Sequence, residues 1–193
     1  MFEAISGLSA AFGLSGSAGL NAYIPLLVVA LAARFPMSDP LVKLQAPFDL
    51  MGSWWAIGLI AVLLVIEIVA DKIPAIDSIN DGIQTFIRPA AGAILFAGSA
   101  NVITDIHPIL SLGAGLLVAG GVHATKAAAR PVVTVSTAGV GNPVVSTLED
   151  LVAVVVSLLA VVLPIIAAII LLVFLIFIIT IVRRWRRRRT VVS

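Results

Sequence analysis

Glu67 and Asp71 are four residues apart at the end of an apolar run, so on a helix they share one face. An ionised carboxylate turned toward lipid is costly. Glu67 is therefore expected to point into a protein interior, to hold a proton, or to reach water at an interface. Lys72 stands beside Asp71 and can neutralise it, so Asp71 and Lys72 also read as the charged end of a helix at a membrane boundary. Further on, Asp77, Asp81, Gln84 and Arg88 recur at spacings of four, three and four and form one polar stripe. Two readings follow. The acids cap a helix and pair with Arg88, or the stripe lines a polar entrance in which acids draw cations and Arg88 gates. Arg88 directly precedes Pro89, an unusual pair at membrane depth.

Metal chemistry finds little support. Asn101, Asp105 and His107 end an apolar segment, and one carboxylate with one imidazole reads better as a turn at Pro108 than as a ligand set. His123 is flanked by apolar residues and reads as a satisfied buried imidazole, or as a proton carrier. The chain has no Cys and two His, and it carries no phosphate-cradling loop and no Ser nucleophile with a plausible base. Neither an enzyme nor a metal or cofactor site is expected.

The elements that hold these residues must be membrane helices. Of the 193 residues, 61% are hydrophobic and 11% charged, with a mean hydropathy of +1.18. A soluble fold of this composition could not cover its exterior. The net charge of +2 conceals an asymmetry. Arg183, Arg184, Arg186, Arg187, Arg188 and Arg189 supply six of the twelve basic residues, which leaves six against ten acidic ones in the body. The Arg cluster with Trp185 reads as a stop-transfer anchor drawn to anionic lipid headgroups, with no nucleic-acid role expected.

A span needs about 20 apolar residues, and five segments qualify: Ile5–Arg34, Trp54–Ala70, Ile83–Ile103, Ile109–Ala129 and Leu151–Val182. The first is interrupted by Gly19, Asn21 and Pro25, and the last contains Pro164. The expected fold is all-α: a polytopic bundle of about five spans over residues 1–182, with a polybasic cytoplasmic tail over 183–193. No cleavable signal peptide is evident at the N-terminus. The tail fixes the C-terminus inside by the positive-inside bias. That leaves Lys126 and Arg130 on the wrong side, a conflict that half-spans or a re-entrant segment would remove. The Phe35–Ser53 connection, with Pro36, Pro40 and Pro47, suits an irregular interfacial stretch.

Shifted by 102 residues, Leu8, Ser9, Gly13, Leu14, Gly19 and Ala22 coincide with Leu110, Ser111, Gly115, Leu116, Gly121 and Ala124, six identities in fifteen positions. Asn21 then matches His123. Such halves suggest an inverted repeat with interrupted helices that expose backbone groups near the midplane. Pro25 and Arg130-Pro131 are the expected breakers. The stretch Pro131–Pro143 is too polar for a lipid-facing helix, and a re-entrant segment is favoured there. The plainer alternative is an external loop in which Ser146-x-x-Glu149 forms the capping box of the last helix. Ser9, Gly13 and Ser17, with Ser15 and Gly19, form small-residue faces for close helix contact, within the chain or between subunits.

The run Glu67-Ile-Val-Ala-Asp71-Lys72-Ile-Pro74-Ala-Ile-Asp77, the run Ile87-Arg88-Pro89-Ala-Ala-Gly92-Ala and the element Gly19-Leu-Asn-Ala-Tyr-Ile-Pro25 resemble an uncharacterised bacterial membrane family, domain of unknown function 4126. With Gly121–Pro143, the likeness spans residues 5 to 160. It implies a bacterial inner-membrane location and brings no substrate or mechanism. A fainter likeness to cation exchangers lies in an acid placed before an Asp-Lys pair, but here the spacing is one residue longer and no cation site is carried over. The Arg-Pro pairs are also similar to those of lipid-carrier translocases with re-entrant hairpins, without a full motif match.

The expected protein is a small transporter or channel for an ion or small solute, homo-oligomeric because five spans make a thin wall. Its path-lining candidates are Asn21, Glu67, Asp71, Asp81, Arg88, His123 and Arg130. The alternatives are a non-transporting scaffold that uses the small-residue faces and the Arg tail, and a lipid-binding or lipid-translocating protein.

Overall fold

A computed structural model of the chain describes residues 2–35, 44, 48–99, 107–164 and scattered positions from 166 to 180, without the side chains of 2, 3, 74, 75, 77 and 78. Asn101, Asp105 and the Arg tail therefore lie outside the described residues, as does the Asp77 side chain. Among the described residues the chain is all-helical, with six α-helices and no strand. These are α1 (Phe2–Leu20), α2 (Tyr23–Arg34), α3 (Trp54–Ala70), α4 (Pro74–Ser99), α5 (Pro108–Thr137) and α6 (Asn142–Val162). A short 3-10 turn, Phe48–Gly52, precedes α3.

The break expected in the first apolar segment falls at Asn21 and Ala22. The Asn21 side chain holds it open: its Oδ1 accepts from the backbone N–H of Tyr23 and of Ile24, both at 3.1 Å. Pro25 falls in the first turn of α2, where a missing N–H breaks no helical bond. The second segment has the expected limits. Ser53 caps it by accepting from the Ala56 N–H, and Trp54 and Trp55 stand exposed at its start.

Three expectations need correction. α4 begins at Pro74 rather than Ile83, so the link expected between the second and third spans shrinks to a turn at residues 71–73 and Asp81 lies inside the helix. α5 does not stop at Arg130-Pro131 but runs on to Thr137, and a tight turn at 138–141 leads into α6. The re-entrant segment over Pro131–Pro143 is thus replaced by a helical hairpin. Within it Ala138 adopts the left-handed region at φ 51°, and the Gly139 N–H closes the helix end onto the Thr134 carbonyl at 2.9 Å. Finally, α6 starts at Asn142, which puts Ser146 in its second turn, where it cannot act as an N-cap. α6 ends at Val162, with Leu163 as its C-cap before Pro164, and the described positions from 164 to 180 are helical again.

The small residues of α1 make contacts within the chain. Ser15 Oγ donates to the Gly92 carbonyl of α4 at 2.9 Å. Ser17 Oγ is bonded to the Ala153 carbonyl and to Ser157 Oγ of α6, at 2.9 and 2.7 Å. Gly19 lies against Ala119 and Val122 of α5. The buried core is built of small side chains such as Ala18, Ala22, Ala91, Ala119 and Ala160, which lets the helices approach closely. The proposed halves differ at their matched positions, since α1 breaks at Asn21 whereas α5 continues through His123.

Polarity is inverted relative to a water-soluble fold. Phe86, Leu117 and Val135 are 79%, 73% and 85% exposed, whereas Arg88 and Glu67 are 0% and 1% exposed. Two helices, α5 and α6, are long and apolar enough to cross a membrane, while α2, α3 and most of α1 are shorter apolar helices.

α4 crosses α5 at close range. A Cβ on Gly115 would collide with the Gly92 carbonyl and Phe96, and one on Gly92 with Ala119. Gly115→Leu is expected to destabilise the bundle by roughly 1–3 kcal/mol through overpacking, read as an earlier midpoint in SDS-induced unfolding from mixed micelles. Gly113→Ala, which meets nothing within 4 Å, should leave that midpoint unchanged or raise it.

Candidate functional site

The sequence places acids and bases on four different helices, and the fold brings them into one cluster. Arg88 of α4 is its hub. Its Nη2 and Nε donate to Glu67 Oε1 of α3, at 2.9 and 3.3 Å. Nη2 is also 3.8 Å from Asp71 Oδ2, and Nη1 is 3.8 Å from Asp81 Oδ1. Nη1 donates to His123 Nδ1 of α5 at 3.1 Å.

That last bond fixes the state of the imidazole. A guanidinium has only donors, so Nδ1 accepts and the ring proton is on Nε2. Nε2 lies 3.1 Å from Thr85 Oγ1, whose own proton goes to the Asp81 carbonyl at 2.8 Å. Nε2 therefore donates to Thr85, and His123 is neutral with both nitrogens engaged.

Asp71 joins this hub to a second one. It accepts from Asn80 Nδ2 at 2.7 Å and from Ser146 Oγ at 3.3 Å, and it lies 3.9 Å from Lys126 Nζ. Buried to 2% and held by so many partners, it is not the snorkelling helix end that its position suggests. Lys126 pairs with Glu149 Oε2 at 2.9 Å and donates to the Leu20 carbonyl at 3.2 Å. It thus binds the carbonyl that the break after α1 leaves without a helical partner. Arg130 Nη2 is 3.4 Å from the same Glu149 oxygen. Beside Glu149, Asp150 accepts from Asn21 Nδ2 at 2.9 Å and lies 3.8 Å from Lys72.

All seven residues singled out by sequence therefore belong to this assembly: Asn21, Glu67, Asp71, Asp81, Arg88, His123 and Arg130. The expected Asp81–Arg88 pair is present within α4. Sequence reasoning left out Lys126, Glu149, Asp150, Ser146, Asn80 and Thr85. One signal was available: His123, Lys126 and Arg130 recur at spacings of three and four, on one face of a helix that continues through Pro131. Ser146 and Glu149 bind Asp71 and the two basic residues of α5, not each other as a capping box.

The cluster grades from fully buried to partly exposed. Arg88 and Glu67 are fully buried, whereas the Asp81 and Lys72 side chains are 24% and 37% exposed. A separate cavity of about 640 Å³ is lined by apolar residues such as Phe12, Leu117, Val122 and Leu172 and holds none of these charges. Among the described residues no group of three or more His, Cys, Asp or Glu is placed to hold a metal ion.

Comparison with known proteins assigns the chain to a family. The family described as a domain of unknown function (DUF4126) matches residues 8–184, so the chain belongs to it. The match extends beyond residue 160, the end of the likeness read from motifs. No curated protein and no solved structure matches.

Removing one member of a buried pair leaves the other charge uncompensated, at a cost of about 3–5 kcal/mol. Arg88→Gln should therefore lower stability by that order in SDS titration. The double variant Glu67→Gln/Arg88→Gln should lose clearly less than the sum of the two single variants, because each single change strands a charge.

Proposed function

We propose that this member of the DUF4126 family is a five-span integral membrane protein that moves an ion or a small charged solute through the cluster around Arg88. The observation that carries this reading is the convergence of acids and bases from α3, α4, α5 and α6 beside the break between α1 and α2, inside an exterior of exposed apolar side chains. Charges sunk among membrane helices are expensive, and where they occur they mark ion or solute pathways. A helix interrupted at the same level supplies backbone groups to such a site.

The cations are shared rather than fixed. Arg88 lies within 4 Å of Glu67, Asp71 and Asp81, and Lys126 of Asp71 and Glu149. A cation with several carboxylates in reach can change partner when an incoming ion takes one of them. Such an exchange lets a charge enter from the half-exposed rim at Lys72 and Asp81 and pass toward Glu67. The ring of exposed apolar residues faces lipid, and the thin wall of five spans favours a homo-oligomer. A bacterial inner-membrane location with the Arg tail on the cytoplasmic side completes this reading.

The second reading is a scaffold in which the same ion pairs act as polar adhesive between helices. It is favoured by the pairing of nearly every charge in the cluster. Flux decides between the two. Full-length protein in proteoliposomes is expected to pass protons, alkali cations or small anions, and Glu67→Gln and Arg88→Gln are expected to abolish that flux in protein that still folds. Vesicles inert to all three probes would sink transport. So would variants that leave flux unchanged. The scaffold instead predicts that both polar variants are silent in cells, while bulky residues at Gly13 or truncation before Arg183 are not.

A further inference from the structure

The described cluster is not electrically balanced. Five carboxylates, Glu67, Asp71, Asp81, Glu149 and Asp150, meet four basic side chains, Lys72, Arg88, Lys126 and Arg130. His123 cannot supply the missing charge, because its Nδ1 accepts from Arg88 and its Nε2 proton is given to Thr85. With every member ionised, the network holds one negative charge more than positive. Such a surplus in a low-dielectric interior is costly.

Two carboxylate oxygens of the cluster are buried without a hydrogen-bond partner, Glu67 Oε2 and Asp81 Oδ1; Asp81 Oδ1 still has Arg88 Nη1 at 3.8 Å, on a side chain 24% exposed, which leaves Glu67 as the enclosed one. Glu67 is 1% exposed; both Arg88 bonds go to its Oε1, and its Oε2 is buried without a hydrogen-bond partner. Gln84, one turn before Arg88 on α4 and 2% exposed, has a buried Oε1 that also lacks a donor. Glu67 Oε2 and Gln84 Oε1, both without a donor in a cluster that carries a surplus negative charge, call for a positive charge that can also donate a hydrogen bond.

We propose that Glu67 Oε2 carries an exchangeable proton, so that the ion handled by this site is H⁺. Oε1 keeps its two N–H bonds from Arg88, and the proton on Oε2 cancels the surplus and turns an orphan acceptor into a donor. When the proton leaves, the full carboxylate charge returns to Glu67, and Arg88 is drawn to it and away from Asp71 and Asp81. The groups that set this equilibrium come from every side. Asp71 and Lys72 stand in the turn that ends α3, Asp81 and Arg88 on α4, His123, Lys126 and Arg130 on α5, and Glu149 and Asp150 on α6, while α2 contributes the Tyr23 hydroxyl. Asp49, in the turn before α3, is exposed near the opposite end of that helix and takes no part.

This inference deepens the transport reading by naming the ion, but its test needs no flux. Infrared difference spectra of the full-length protein in lipid nanodiscs, recorded across pH, are expected to show one protonated-carboxyl C=O band that bleaches as pH rises. The band should be lost in Glu67→Gln, shifted but kept in Glu67→Asp, and bleached at lower pH in Asp81→Asn, which removes one of the five carboxylates and with it the surplus. Absence of any such band in folded protein would overturn the proposal, as would a band that survives Glu67→Gln. Loss of the band on adding Na⁺ or K⁺ at fixed pH would overturn it too, by assigning the site to a metal cation. A titrating Glu67 band in protein that passes no ion would uphold the proton site and reject transport.

Discussion

The structure depends on one constraint: a guanidinium enclosed among apolar helices must have its charge answered on the spot. Arg88 has no exposed surface, and in such surroundings an unanswered cation costs several kcal/mol. Glu67, Asp71, Asp81 and His123 converge on it for that reason, from helices that could otherwise pack in many ways. The requirement sets the rotation of α3 about its axis, because Glu67 and Asp71 must face inward together. It also selects the faces of α4 and α5, since Thr85 and Arg88 of the one must meet His123 of the other.

Close packing makes this convergence possible. Long polar side chains reach one another across helices only if the backbones come near, and Gly92, Gly115 and Gly19 with the surrounding alanines provide that approach. The break at Asn21 has a related role. It frees the Leu20 carbonyl for Lys126, while Asn21 itself caps α2 and binds Asp150. One short interruption thereby joins the first two helices to the charges of α5 and α6.

Much of this was legible from residue types and spacing. The limits of α3, the interruption at Asn21 and the seven site candidates all follow from apolar length, turn chemistry and the cost of charge in lipid. The far end of α5 did not follow. Pro131 suggests a helix end, yet α5 runs through it, and the turn beyond it uses an alanine in the left-handed region, where glycine is the usual signal. With α5 expected to stop at Ala129, Lys126 and Arg130 read as charges on the wrong side of the membrane, and Ser146 and Glu149 as a cap. Their true partners, Asp71 and the basic face of α5, are set by tertiary packing, which no local pattern encodes.

The central claim is that this network is a hydrated pathway rather than a sealed structural core, and the chain offers a direct probe because it contains no cysteine. Ser146, fully buried and bonded to Asp71, can be replaced to give the single-cysteine variant Ser146→Cys in proteoliposomes. The account predicts that a membrane-impermeant thiol reagent labels this position, faster when a proton gradient is imposed. A cysteine that stays inert from both sides of the membrane, with and without the gradient, in protein that is otherwise folded, would contradict it.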